Sequence, residues 1–305
     1  MTFLPRRAWF RIAGADVRHP GPLGLLYDGE WHDLSSVLGD GAFDSIARLS
    51  DGTLRGPGLD QLRARCSQAT RLATRPRFGL PVPRPEKILC LGKNYAAHAA
   101  EFGSIAPSEP MFFTKLGECL LPAEQDVALP DGVGRVDHEG ELCLVIGSDG
   151  SHLSEHAAGA TVAGLTLIDD VTARHLQGED RKKGFPWVRS KSFDTFGPCG
   201  PWVIPFEDAF DGPIPDDATP DLALELRVGE TAKQHSRTSL MVHKIAPTLA
   251  YLSRHTTLRA GDLIATGTPE GVSPLGPGDT VQLTIERVGC LTHGVRCATR
   301  SQATE

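Results

Sequence analysis

The sequence predicts a mostly β fold with a few helices, an α+β class. Three observations point there. The 305 residues carry 33 glycines and 23 prolines, which favours turns and short strands over a helical bundle. Apolar runs of strand length recur after residue 86, punctuated by Gly or Asp-Gly. Helical periodicity is confined to a few stretches.

The elements follow in order. Residues 1–73 read as a small N-terminal α+β unit. FRIAG (10–14) and LGLLYDGEWHDL (23–34) are strand-like, with Asp28-Gly29 as a hairpin turn. LDQLRARCSQATRLA (59–73) reads as a helix. Residues 74–86 hold Pro76, Pro81, Pro83 and Pro85. Proline at that density neither continues a helix nor sits in a central strand, so an extended linker and a domain boundary are expected there.

The main domain spans 87–298, with 299–305 as a tail. Its predicted strands are KILCLG (87–92), ELCLVIG (141–147), AGLTLIDD (163–170), DLALELRVG (221–229), GDLIATGT (261–268) and TVQLTIERVG (280–289). AAHAAEF (96–102) predicts a short helix, with Asn94 as its cap and Gly103 as its end. SLMVHKIAPTLAYLSRH (239–255) predicts another, ended or kinked in its first turns by Pro247.

Several function classes fall away. Lys and Arg number 31 against 38 Asp and Glu, a formal charge of −7. That balance gives no long-range attraction to nucleic acid or to anionic lipid, although a small anionic substrate needs only a local site. No apolar run approaches a membrane span or a signal peptide. The seven cysteines are scattered with no C-x-x-C, which argues for reduced thiols in the cytoplasm. No dinucleotide fingerprint, P-loop, nucleophile elbow or H-E-x-x-H is present.

Other residues carry chemistry. Glu139 and Glu141 stand at the start of an apolar strand, and residues i and i+2 share one face. Two such charges about 4 Å apart repel by roughly 4 kcal/mol at an effective dielectric near 20. The pair must be solvated, protonated or bridged by a cation. A second apolar strand ends in Asp169-Asp170. Three carboxylates gathered from strand ends would suit Mg²⁺, Mn²⁺ or Ca²⁺, and an exposed acidic strand end would give the same pattern.

His98 and Glu101 are three apart, so they share a helical face. A carboxylate beside an imidazole fixes its tautomer and raises its basicity, as a general base needs, while a surface pair is the plain alternative. Lys191 lies among Trp187 and Phe193 in KKGFPWVRSKSFD. That setting suits anion recognition, and a snorkelling surface lysine fits it equally. Thr266, Thr268 and Glu270 form a hydroxyl-rich turn.

The order of these pieces is more specific than any one. KILCLGKNYAAHAAE, APSEPMFFTK, VDHEGELCLVIG, LIDDVTARHLQ, PWVRSKSFDTFGP and GDLIATGTPEGV together resemble the fumarylacetoacetate hydrolase family over 87–298. The match is similar to its acylpyruvase and oxaloacetate decarboxylase branch, and the leading residues to the short N-terminal domain of bacterial members. The resemblance implies a mixed β-roll, a homodimer, and Glu139, Glu141 and Asp170 as ligands of Mg²⁺ or Mn²⁺. It implies His98 and Glu101 as a water-activating dyad, and Lys191, Arg174, Gln177 and Thr268 as substrate contacts. Asp169 replaces a frequent Asn and His175 a frequent acid, both expected to be structural or to act from behind the site.

The implied substrate is a small anionic 2-oxo acid such as an acylpyruvate or fumarylpyruvate. His98 would make hydroxide, the C–C bond would break, and the metal and Lys191 would hold the pyruvate enolate. The same enolate serves decarboxylation or isomerisation of 2-oxo diacids, of the oxaloacetate or 2-hydroxyhepta-2,4-diene-1,7-dioate type. A metal-binding homologue without turnover is a further alternative.

Overall fold

The computed structural model describes residues 4–14, 21–38, 45–83 and 85–298. The expected tail, 299–305, lies outside the described residues.

A mixed central sheet carries the site. Its path runs Glu30–Asp33, Leu23–Tyr27, Arg7–Arg11, Trp202–Pro205, Val162–Asp169, Gly140–Ile146, Leu263–Ala265, Ile88–Gly92 and Met111–Lys115. Every residue of Gly140–Ile146 and Val162–Asp169 is buried. Both faces are covered, which is why these strands read as unbroken apolar runs. The two are antiparallel, with Glu141 opposite Ile168 and Gly140 opposite Asp169. The acidic start of one therefore meets the acidic end of the other. Leu263–Ala265 lies along the far side of Gly140–Ile146, with Ala265 opposite Cys143, and delivers residues 266–268 to the same end. Its parallel neighbour Ile88–Gly92 delivers Lys93, Asn94 and the helix Ala96–Glu101 there too.

A second sheet orders Thr231–Arg237, Ala223–Val228, Thr280–Ile285, Gly289–Cys297 and Asp126–Leu129. It supplies two fully buried polar side chains, Gln234 and His293, from behind the site.

The N-terminal strands do not form a core of their own. Phe10 pairs with Trp202 and Trp9 with Val203, so they extend the central sheet. Phe10, Trp31, Phe78 and Trp202 pack with ring centroids 5.3 to 6.0 Å apart. That cluster joins the leading unit, the linker and the main domain. The described residues of the proline-rich stretch are irregular, with bends at 81–83, yet Phe78, Leu80 and Val82 are buried and Gly79 N–H donates to Arg11 O at 2.9 Å. The expected boundary thus runs through a shared core.

Two helices differ from expectation. The first spans Gly56–Arg65, earlier than 59–73, because Pro57 is preorganised for a first turn and Cys66 turns extended. The second spans Ile245–His255. Pro247 sits in its first turn, where a missing N–H costs nothing, so the proline helps start the helix rather than ending or kinking it. No described helix is long and apolar enough to cross a membrane. All seven cysteines are free thiols.

Candidate active site

Glu139, Glu141 and Asp170 meet at the end of the central sheet. All three are buried, and one oxygen of each lies within 4.8 Å of the others. The backbone holds them there: Asp170 N–H donates to Glu139 O at 2.9 Å, and Gly267 N–H donates to Glu141 Oε2 at 2.7 Å. Asp169 does not join them. Its Oδ1 accepts from Glu139 N–H at 2.6 Å and its Oδ2 meets His293 Nε2 at 2.9 Å. It therefore pins the backbone of Glu139 from behind.

Cations surround the cluster. Lys191 Nζ donates to Glu139 Oε2 at 2.7 Å and to Asp170 Oδ2 at 2.6 Å. Lys115 Nζ donates to Asp170 Oδ1 at 2.8 Å. Arg174 bonds Glu139 and also donates from Nε to Asp137 Oδ2 at 2.9 Å. Burial alone would raise Glu139, but Lys191 and Arg174 hold its carboxyl well below the usual range. Among the described residues, no such cation contacts Glu141. Burial, then Asp170 and Glu139, push its carboxyl well above the ordinary value. The donor set fits a divalent cation on this ground: three buried carboxylates converge, and one of them has no cation in contact with it among the described residues.

Beside the cluster, His98 Nδ1 lies 3.2 Å from Glu101 Oε2. Glu101 Oε1 in turn accepts from Gly271 N–H at 2.7 Å. The carboxylate is fixed at both oxygens and directs Nδ1, which leaves Nε2 for chemistry. Burial lowers the pKa of His98 more than Glu139 and Glu101 raise it.

Asn94 is not the cap of this helix. Tyr95 takes the N-cap position without a side-chain cap bond. Asn94 is buried instead, donating to Thr266 O at 2.8 Å and accepting from His243 N–H at 2.7 Å. It ties three loops together under the site. Gly103, at φ +63, follows the helix as expected.

Thr268 donates to Gly140 O at 3.0 Å and accepts from Gln234 Nε2 at 2.7 Å. Gln177 accepts from Arg174 Nη1 at 2.7 Å. His98, Glu139, Glu141, Arg174, Lys191 and Thr268 all line one cavity of about 240 Å³, and Gln177 borders it. Glu101 stands behind His98. A larger cavity of about 910 Å³ between the linker and Asp194 holds none of these groups. His175 lies on the outer face, exposed, 3.5 Å from Glu179.

Sequence reasoning gave no role to Lys115, Gln234 or His293. Lys115 closes an apolar run, MFFTK, and a lysine at the end of such a run was a usable signal. Gln234 and His293 come from the second sheet, and only the tertiary fold brings them to Gly140 and Asp169.

A mixed sheet whose end gathers three buried carboxylates beside a His–Glu pair defines a class of sites that could hold a divalent cation next to a base. The model of the fumarylacetoacetate (FAA) hydrolase C-terminal region matches residues 87–296. This chain belongs to the fumarylacetoacetate hydrolase family. It is 38% identical over 200 residues to the oxaloacetate tautomerase YcgM of Escherichia coli, covering 66% of this chain and 88% of that one. It is similar to a fumarylpyruvate hydrolase from Pseudomonas aeruginosa solved with Mn²⁺ and pyruvate, at 33% identity and a TM-score of 0.65, covering 72% and 91% of the two chains. A 2-hydroxyhepta-2,4-diene-1,7-dioate isomerase from Mycobacterium marinum matches at 30% identity and a TM-score of 0.68, covering 95% and 98%.

Proposed function

We propose that this chain is a Mg²⁺- or Mn²⁺-dependent hydrolase that cleaves a C–C bond in a β-diketo acid of the acylpyruvate or fumarylpyruvate type. One observation carries the reading: Glu139 and Glu141 of the carboxylate cluster line the same cavity as His98, whose partner Glu101 stands behind it. Glu139, Glu141 and Asp170 would hold the cation, which supplies Lewis-acid polarisation of the 2-oxo acid oxygens.

The chain's own residues do the rest. Arg174 and Lys191 attract and orient the substrate carboxylate. Glu101 holds the Nδ1 proton of His98, so Nε2 takes a proton from water. The hydroxide attacks the distal carbonyl carbon, and the bond to the pyruvyl carbon breaks. The acyl group leaves as a carboxylic acid. The electron pair stays on the pyruvyl fragment as an enolate, whose charge Lys191 Nζ offsets. The proton on His98 returns to that fragment and gives pyruvate.

The 38% identity to an oxaloacetate tautomerase favours a second reading, enolate chemistry on a 2-oxo diacid without attacking water. A panel of acylpyruvates and oxaloacetate, followed by ultraviolet absorbance with and without Mg²⁺, tests both. Mg²⁺-dependent loss of acylpyruvate absorbance supports hydrolysis. Turnover of oxaloacetate alone refutes it in favour of the second reading.

A further inference from the structure

The catalytic groups occupy one end of the cavity, and its other end is cationic. Arg174, Gln177, Gly178 and Arg181 all border it from the helix Arg174–Lys183. Their spacing of i, i+3, i+4 and i+7 makes a single stripe along that helix. Arg174 is anchored at the carboxylate end through Glu139. Arg181 stands two turns further on, roughly 10 Å along the axis at about 1.5 Å per residue.

Lys93 borders the same cavity from the turn after Ile88–Gly92. Its backbone is left-handed, φ +57, a conformation that a lysine rarely adopts. Neither Lys93 nor Arg181 makes an ion pair among the described residues. Burial and the neighbouring Arg181 charge both lower the pKa of Lys93. Two cations sharing a cavity wall without a counterion favour an anion between them. The wall between the two ends is open at Gly178. A Cβ there would meet nothing within 4 Å, although glycine weakens a helix interior.

We propose that Lys93 and Arg181 form a distal anion subsite for the second carboxylate of an extended 2-oxo diacid. The inference rests on the reading of Glu139, Glu141 and Asp170 as the end that holds the 2-oxo acid group. It selects, within that substrate class, diacids with a long arm such as fumarylpyruvate. A neutral arm leaves both cations unpaired, and the short arm of oxaloacetate does not span the helix stripe.

Two acids that lack a β-carbonyl isolate binding from turnover: 2-oxoadipate and 2-oxohexanoate, equal in length and differing in the distal carboxylate. Their dissociation constants are measured by calorimetry with saturating Mg²⁺. The wild-type chain should bind 2-oxoadipate about ten-fold tighter or more, the size of one charge-assisted hydrogen bond. In Lys93→Gln/Arg181→Gln that ratio should fall to about one. Each single variant should fall between, and melting curves establish that all of them fold. Equal wild-type affinity for the two acids, or a ratio unchanged in the double variant, overturns the subsite alone. No binding of either acid overturns the reading of the carboxylate end, and the subsite with it.

Discussion

Replacing Glu141 with Gln should have opposite effects with and without a divalent cation. The three carboxylate oxygens lie within 4.8 Å of one another. At that separation and an effective dielectric near 20, each pair of charges repels by about 3 to 4 kcal/mol. Lys191 and Lys115 pair directly with Glu139 and Asp170, whereas Lys191 acts on Glu141 only from a distance. Its raised pKa means that the carboxyl prefers to keep its proton. A folded pKa above the unfolded value contributes stability below the unfolded pKa, and that contribution is lost as pH rises through the folded one. Metal-free wild type should therefore lose stability with rising pH above the ordinary Glu range.

Glu141→Gln removes that loss and keeps an oxygen to accept the Gly267 N–H. The metal-free variant should be as stable as wild type at acid pH and more stable at neutral pH. Saturating Mg²⁺ at about 100 times its dissociation constant should stabilise wild type by about 3 kcal/mol and the variant by almost nothing. Calorimetric melts from pH 5 to 8, with EDTA or with Mg²⁺, read both effects. A variant stabilised by Mg²⁺ as much as wild type refutes the assignment. So does a metal-free variant less stable than wild type at neutral pH.

The other predictions follow from the same geometry. His98→Ala should lose about 10²–10⁴-fold of acylpyruvate hydrolysis while keeping Mg²⁺ binding and a larger share of any oxaloacetate decarboxylation. Lys191→Ala should lower both activities, as rate assays at saturating Mg²⁺ would show. Because burial lowers the pKa of His98, the acid limb of kcat/KM should lie below 6.5. Glu101→Gln removes a charge that raises this pKa, so its limb should move to still lower pH with reduced kcat. Trp202 is buried among rings from the leading unit and the linker and donates to Val288 O at 2.7 Å. Trp202→Ala should cost about 3–5 kcal/mol, with wild type and variant each unfolding in one calorimetric transition.

The parts of this site that were readable in the sequence are local. Glu139 and Glu141 are two residues apart, and His98 and Glu101 three apart, so elementary strand and helix geometry puts each pair together. Asp170 was readable because it ends an apolar strand, and antiparallel pairing brings that end to Glu141. The supports were not. Gln234 reaches Gly140 and Thr268 across 94 and 34 residues of sequence, through a sheet whose placement no local pattern encodes. Asn94 sits where a cap is expected, yet its bonds to Thr266 and His243 depend on two distant loops. The N-terminal unit looked separate because prolines mark the linker. Its strands nevertheless complete the central sheet, since an unpaired edge at Trp202–Pro205 would leave backbone groups and the aromatic cluster exposed.

The central claim is that His98 and the carboxylate cluster direct water onto the distal carbonyl of a β-diketo acid. Turnover of an acylpyruvate in heavy-oxygen water, with the products weighed by mass spectrometry, tests it most directly. The account predicts Mg²⁺-dependent cleavage with one heavy oxygen in the released carboxylic acid, and labelled acid appearing about 10²–10⁴-fold more slowly in the His98→Ala control. Cleavage without label in the released acid, or labelled acid formed at an undiminished rate in His98→Ala, would contradict it.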